Sequence, residues 1–373
     1  MTKDFTVRAI RALASIVACL SMSLVLMAGT PSAPSRLCVQ SNGKSSCASG
    51  SSARKWNPGH YVRANALGFP ENDATRQSVY DLTRNNPLFK GGLITVTWGE
   101  VEPIEGQYDF SQIDKDLAYL KSMGKMLIIE VWWQKYGGDV NARYFPQYII
   151  DAGGIGSIPS QNEHHVLINE QQWADRYIAL QRALAARYDG DPGVEQVVIT
   201  ETASTSAYEF KYIVPAVAAF WSKTAVVLYM NWVDTPELAR DLMAICAQNA
   251  VGVGGPDILP PKPISPTGED NGSRALRGVG RDSLYSDGTN IGDFGSIDYR
   301  GRIPVSYSYE ALFNIPPSAL IGYAMNTLKA THIVWGVNNS LPAGQDWPTG
   351  VLPTVQSVSG LTSTAMPTAF LGN

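Results

Sequence analysis

From Trp56 onward, short runs of apolar, β-branched residues alternate with longer stretches of mixed polarity. The short runs predict strands over 61–66, 93–98, 126–133, 195–200, 225–232, 251–254, 303–309 and 331–337. Helical spacing of apolar positions between them predicts helices over 111–123, 169–188, 205–221, 236–249 and 317–329. Pro236, after Asp234 and Thr235, suits a first helical turn, and Gly124 suits a helix end.

Runs that are apolar on both faces and separated by helices imply a parallel sheet covered by helices. Eight such units fit a closed barrel better than an open doubly wound sheet, and no G-x-G-x-x-G follows the first strand. The fold expected is α/β, a single (β/α)8 TIM barrel, with long loops after its third strand (136–168) and sixth strand (256–302). The tail after Leu341 is expected to pack around the barrel as an incomplete last unit. In a barrel of this kind, residues just past the carboxyl ends of the strands converge on one face.

Composition narrows the possible partners. With 373 residues, 45% hydrophobic, 17% charged and a net charge of −4, the chain can bury a large core but lacks the basic footprint of a nucleic-acid binder. The first residues read as a secretory signal peptide over 1–33: Lys3, Arg8 and Arg11 precede an apolar run from Ala12 to Gly29, then Thr30-Pro31-Ser32-Ala33. Ile16-Val17-Ala18-Cys19 keeps a lipoprotein box open, and a retained anchor is the other alternative. A Ser/Gly-rich leader over 34–55 and the barrel domain over 56–373 complete the expected organisation, with a secreted or periplasmic location. In an oxidising compartment Cys38 and Cys47, nine apart, are expected to form a small-loop disulfide. Cys246 reads as a buried thiol, and His164-His165 as a loop feature, because no Cys/His cluster has zinc spacing.

The strand ends carry the chemistry. Acidic residues fall there repeatedly: Glu100 and Glu102, Glu130, Glu201, Asp234, Asp257 and Glu310, in the company of Trp98, Trp132, Trp133, Trp232 and Trp335. Carboxylates flanking a cavity are what glycosidic bond cleavage needs: one protonates the departing oxygen, and the other attacks the sugar or activates water. The absence of a glycine-rich anion cradle argues against phosphoryl chemistry.

The stretch Trp98-Gly99-Glu100-Val101-Glu102-Pro103-Ile104-Glu105-Gly106-Gln107-Tyr108-Asp109-Phe110 resembles the W-x-x-x-E-P-x-x-G-x-Y-x-F segment after the second strand of many (β/α)8 retaining glycoside hydrolases, such as the barrel β-galactosidases. That resemblance implies an acid/base glutamate ending the fourth strand and a nucleophile glutamate ending the seventh, here Glu201 and Glu310. It also implies an aromatic platform at the end of the eighth strand, here Trp335. The clan places Asn before its acid/base; this chain has Thr200.

The expectation is an exported, endo-acting glycoside hydrolase with a carbohydrate substrate, no metal or organic cofactor, no nucleic-acid partner and no stable membrane insertion after signal cleavage. Substrate contacts are expected from Trp98, Glu130, Trp132, Thr200, Trp232, Asp257, Tyr307 and Trp335. Structural alternatives stand beside these roles. Glu130 can be the partner of Arg63; one of Trp132 and Trp133 must pack under helices; Tyr307 and Tyr309 can fill the barrel; and Glu102-Pro103 can fix a turn. An inverting hydrolase on the same fold, or a non-catalytic glycan-binding or envelope structural barrel, also remains open.

Overall fold

The structure is a computed structural model. It describes residues 38–41, 44–47, 54–64, 72–159, 162–202, 209–230, 233, 236–256, 258, 300–309, 316–358, 360–361 and 364–371. The expected signal peptide, Glu310, Trp232, Asp257 and most of the 256–302 loop lie outside the described residues.

The chain divides into two compact units, Met1–Ser51 and Ser52–Asn373. In the first, strands β1 (Cys38–Ser41) and β2 (Lys44–Cys47) pair antiparallel, with Cys38 opposite Cys47.

The second unit is a barrel. Its order runs β3 (Gly59–Arg63), α1 (Asp73–Asp81), β4 (Phe89–Thr97), α2 (Trp98–Val101), α3 (Ser111–Ser122), β5 (Met126–Trp132), β6 (Gln134–Tyr136), α4 (Gln147–Asp151), β7 (Ile155–Ile158) and β8 (Glu163–Val166). It continues with α5 (Gln171–Tyr188), β9 (Val194–Ile199), α6 (Phe210–Ala218), β10 (Ala225–Tyr229), α7 (Pro236–Gln248), β11 (Gly252–Gly255), β12 (Val305–Tyr309), α8 (Pro317–Gly322), β13 (His332–Gly336) and α9 (Leu352–Val358). Strands β3, β4, β5, β9, β10, β11, β12 and β13 close in that order, and every neighbouring pair is parallel. The expected (β/α)8 barrel is therefore the fold, and each expected strand overlaps one of its staves. No helix among the described residues is long and apolar enough to cross a membrane.

Strand alternation sorts the side chains into two layers. Tyr61, Leu93, Ile128, Val198, Val227, Tyr229 and Val334 fill the lumen, while Val62, Ile94, Val96, Ile129, Val131, Val197, Ile199, Leu228, Ile333 and their neighbours pack outward against the helices. Below the lumen, Glu195 accepts from the Asn57 backbone N–H and side-chain amide, each at 2.8 Å, and pairs with His332 at 3.1 Å. Burial alone would raise the Glu195 carboxyl, but these partners bring it below its ordinary value of 4.5.

Three local expectations change. The 136–168 loop is not structureless: β6, β8 and β7 form an antiparallel sheet, and His164 and His165 lie on β8. The helix expected over 317–329 is α-helical only to Gly322 and continues as a π-helix over Tyr323–Leu328, ended by Lys329 at φ +55°. Helix α1 was not expected because its sequence, DATRQSVYD, is mostly polar; Asn72 caps it, and its buried Arg76 is neutralised by Asp116 at 2.9 Å. The tail does pack on the barrel, through Trp347, Val351 and Val355.

Candidate active site

The lumen turns polar towards the carboxyl ends of the strands. Arg63, Thr95 and Glu130 stand one strand period beyond Tyr61, Leu93 and Ile128. Arg63 donates to Glu130 at 3.0 Å, to Thr95 Oγ1 at 2.9 Å and to Ser308 Oγ at 3.1 Å, and Thr95 also donates to Glu130 at 2.9 Å. The Tyr229 hydroxyl lies 3.3 Å from Ser308 Oγ, and burial pushes it up to about 12, with Glu130 adding to the shift. Glu130 therefore has its charge balanced within the lumen, the structural alternative named for it above.

One period higher come Thr97, Trp132 and Thr200, and Glu201 follows. The segment carrying Glu201 is pinned from both sides: Thr200 Oγ1 donates to the Val131 carbonyl at 2.6 Å, and the Thr202 N–H donates to the Tyr229 carbonyl at 3.1 Å. Thr200 thus spends its hydroxyl hydrogen on β5 and ties the fourth barrel strand to the third. Gln134, on β6, donates from Nε2 to Glu201 Oε1 at 2.6 Å, and Glu201 is 7% exposed. A carboxyl held this way sits at the edge of the lumen with a fixed backbone and a polar partner, the setting an acid or base requires.

Sequence reasoning missed Gln134. A glutamine two residues past a strand carries no chemical signature, and its contact arises only when β6 turns back over the mouth.

The aromatic candidates separate by strand parity. Trp132 lies on the lumen face with Ile128 and Glu130; it is buried, and its indole N–H has no hydrogen-bond partner. Trp133 points the other way, against Phe210 and His165. Trp98 and Trp335, expected on the rim, and Tyr307, expected to touch substrate or to fill the barrel, lie fully buried in the helix-facing layer. Trp335 donates to His60 Nδ1 at 3.0 Å and packs on Tyr309 with ring centroids 5.5 Å apart. No sugar can stack on rings so enclosed.

Trp98 explains the segment that resembles glycoside hydrolases. Its indole donates to Glu102 Oε2 at 2.7 Å, the Gly106 N–H donates to Glu102 Oε1 at 2.8 Å, and Arg176 of α5 closes onto the same oxygen. The spacing W-x-x-x-E-P-x-x-G is therefore a structural knot around one buried carboxylate, with Gly106 at φ +73° making the turn. Glu100 is likewise occupied, closing a capping box with Thr97.

Beside the mouth, a cleft of about 770 Å³ opens between the N-terminal ends of α1 and α3, lined by Asp73, Arg76, Thr95, Glu100, Gln112 and Arg143 among others. No group of three or more His, Cys, Asp or Glu among the described residues could hold a metal ion.

These features define the class: a closed (β/α)8 barrel with a carboxylate and polar groups gathered at the C-terminal ends of its strands. The fold is similar to the catalytic domain of beta-amylase from Paenibacillus polymyxa, with a TM-score of 0.55 and 9% identity over 82% of this chain and 98% of that one. Looser likenesses are to endo-glycoceramidase II from Rhodococcus sp. (TM-score 0.49, 12% identity, 81% of this chain and 78% of that one) and endoglucanase Cel5A from Pseudomonas stutzeri (0.47, 12%, 83% and 96%). At such identities the likeness is one of fold. No family model matches the chain, and no curated protein matches it in sequence.

Proposed function

We propose that this protein is an exported glycoside hydrolase that cleaves a polysaccharide or oligosaccharide with a pair of glutamates. The observation that carries this reading is Glu201, held at the end of the fourth barrel strand by Gln134 at 2.6 Å and pinned through Thr200 and Thr202. The likeness to a beta-amylase catalytic domain agrees with it.

In the proposed cycle Glu201 protonates the departing glycosidic oxygen while Glu310 attacks the anomeric carbon. Glu201, now ionised, then takes a proton from the water that releases the sugar. Glu310 is chosen because it follows Ser306 and Ser308 at the two-residue spacing of β12. Trp132 is the described aromatic candidate on the lumen face; its indole N–H is buried, so it would meet a sugar hydroxyl only after local opening of the mouth. The cleft beside the mouth supports binding of an extended chain, hence endo-action. Trp232 and Asp257 remain proposed substrate contacts.

The test is a glycan panel read by mass of released products, with Glu201→Gln and Glu310→Gln assayed separately. Full activity in either variant would remove that residue from the mechanism. The anomeric configuration of the first product decides between retention, with carboxyl groups about 5–5.5 Å apart, and inversion, at about 6.5–9.5 Å.

A non-catalytic glycan-binding barrel is the second reading; with Trp98, Tyr307 and Trp335 buried, its contacts would fall to the cleft beside the mouth. Binding without product release from the same panel would select it. The proposed export and the Cys38–Cys47 disulfide are checked by N-terminal sequencing of secreted protein and by intact mass before and after reduction; the backbone register that sets the two cysteines opposite each other supports the bond.

A further inference from the structure

We infer that Gln134 is a positioning residue that hydrogen-bonds Glu201 in both of its protonation states by turning its amide group over. The inference rests on the proposed acid/base role of Glu201. Nε2 of Gln134 donates to Glu201 Oε1 at 2.6 Å, yet Oε1 of the same amide is buried and has no hydrogen-bond partner, on a residue only 2% exposed. A donor favours the ionised carboxyl over the protonated one, whereas the O–H of an acid that is protonated for part of each cycle needs an acceptor. Lysine or arginine at this place would offer donors alone. A primary amide carries both functions, exchanged by a half-turn about its last bond. An idle buried acceptor calls for an explanation, and protonated Glu201 supplies one.

The surroundings leave the amide as the part that moves. Gln134 is directly opposite His165 across the β6–β8 pair, and His165 is held by Glu163 at 2.9 Å. On the far side of β8, Gly156 faces His165, and a Cβ there would approach the imidazole to 2.7 Å, so only glycine leaves room for the ring. The backbone of β6 is thus fixed by its sheet, and the backbone of Glu201 by Thr200 and Thr202. The titratable groups on the strands beside this pair are Arg63 and Glu130 on β3 and β5, Tyr229 on β10, Glu163 and His165 on β8, and Lys135, which donates to the Gly137 carbonyl and lies over the Tyr144 ring; the proposed function adds Glu310 to them. A neutral replacement at 134 leaves all of these charges in place.

Two measurements on the full chain test the inference without needing activity. The first follows the Gln134 side-chain amide by 15N NMR across pH, assigned by its loss in Gln134→Met or, should that variant fail to fold, Gln134→Asn. The expected result is an amide proton shifted downfield at high pH that loses its hydrogen bond at the ionisation midpoint of Glu201. The second follows the Glu201 carboxyl by 13C NMR, assigned through Glu201→Gln. With hydrogen bonds to both forms, Gln134→Met leaves the Glu201 ionisation constant within about threefold of wild type, whereas removing a fixed donor makes Glu201 about tenfold less acidic. An amide proton that stays bonded throughout, or the tenfold shift, overturns the inference. If the wild type cleaves no glycan, the proposed function fails on its own while these spectra still decide the role of Gln134. In an active enzyme, Gln134→Met lowers kcat/KM for a poor leaving group at least tenfold, and an unchanged value counts against the inference alone.

Discussion

Removing one half of the lumen ion pair should cost more than any single contact it makes. Arg63 and Glu130 meet at 3.0 Å with side chains 4% and 3% exposed. At an effective dielectric of about 20 their attraction is roughly 5 kcal/mol, most of it offset by the cost of taking both charges out of water. Arg63→Met discards the attraction and keeps the cost, leaving Glu130 with the Thr95 hydroxyl as the donor that remains from this network. The expected loss is about 3–5 kcal/mol, which for a unit of this size lowers Tm by roughly 5–8 °C at pH 7. The double variant Arg63→Met/Glu130→Met should recover part of the loss, because no charge is left stranded. Calorimetry of the two single variants and the double variant at pH 7 is the assay. A Tm for Arg63→Met within about 1 °C of wild type, or a double variant as unstable as the two singles added, would refute the reasoning.

Three further outcomes follow from other parts of the molecule. Glu102→Ala breaks the knot formed with Trp98, Gly106 and Arg176 and should cost about 2–4 kcal/mol in urea unfolding, since three donors lose a charged acceptor. Gly91→Ala should prevent folding, because its Cβ would sit 1.8 Å from the Met126 carbonyl oxygen; Gly106→Ala meets nothing within 4 Å and should cost only about 1 kcal/mol of backbone strain, so soluble yield and melting separate the two. Glu195, held below its ordinary 4.5, contributes stability that is present above that value and lost as pH falls through its lower folded value. Glu195→Gln should therefore flatten the acid side of the Tm profile below pH 4.5, and an unchanged slope there would count against the assignment.

Several staves were legible because they carry runs that are apolar on both faces, such as LITV in β4, LII in β5 and VVI in β9, a pattern that few structures besides a covered parallel sheet impose. The mouth was legible only in part. Proximity to a strand end brought Trp98, Trp132, Tyr307 and Trp335 together in the sequence, but whether a side chain faces sugar or helix depends on its parity relative to the lumen. Only Trp132 of these four shares the parity of Glu130. The segment that resembles glycoside hydrolases was visible, while its work of wrapping Glu102 was not, because Arg176 arrives from a helix more than seventy residues away. Gln134 and its sheet escaped for a related reason: QKY, IGSI and EHHV are too short and too polar to read as strands until they pair.

That small sheet also separates two kinds of change. Glu201 belongs to the barrel, whose closure constrains every stave, whereas its partner Gln134 is delivered by an excursion between the third and fourth staves. The excursion is not independent of the barrel, since Phe145, Ile149 and Val166 within it are buried in the same core as the helix-facing side of the staves, so a change confined to Gln134 is the one that alters the carboxyl's partner with least effect on packing.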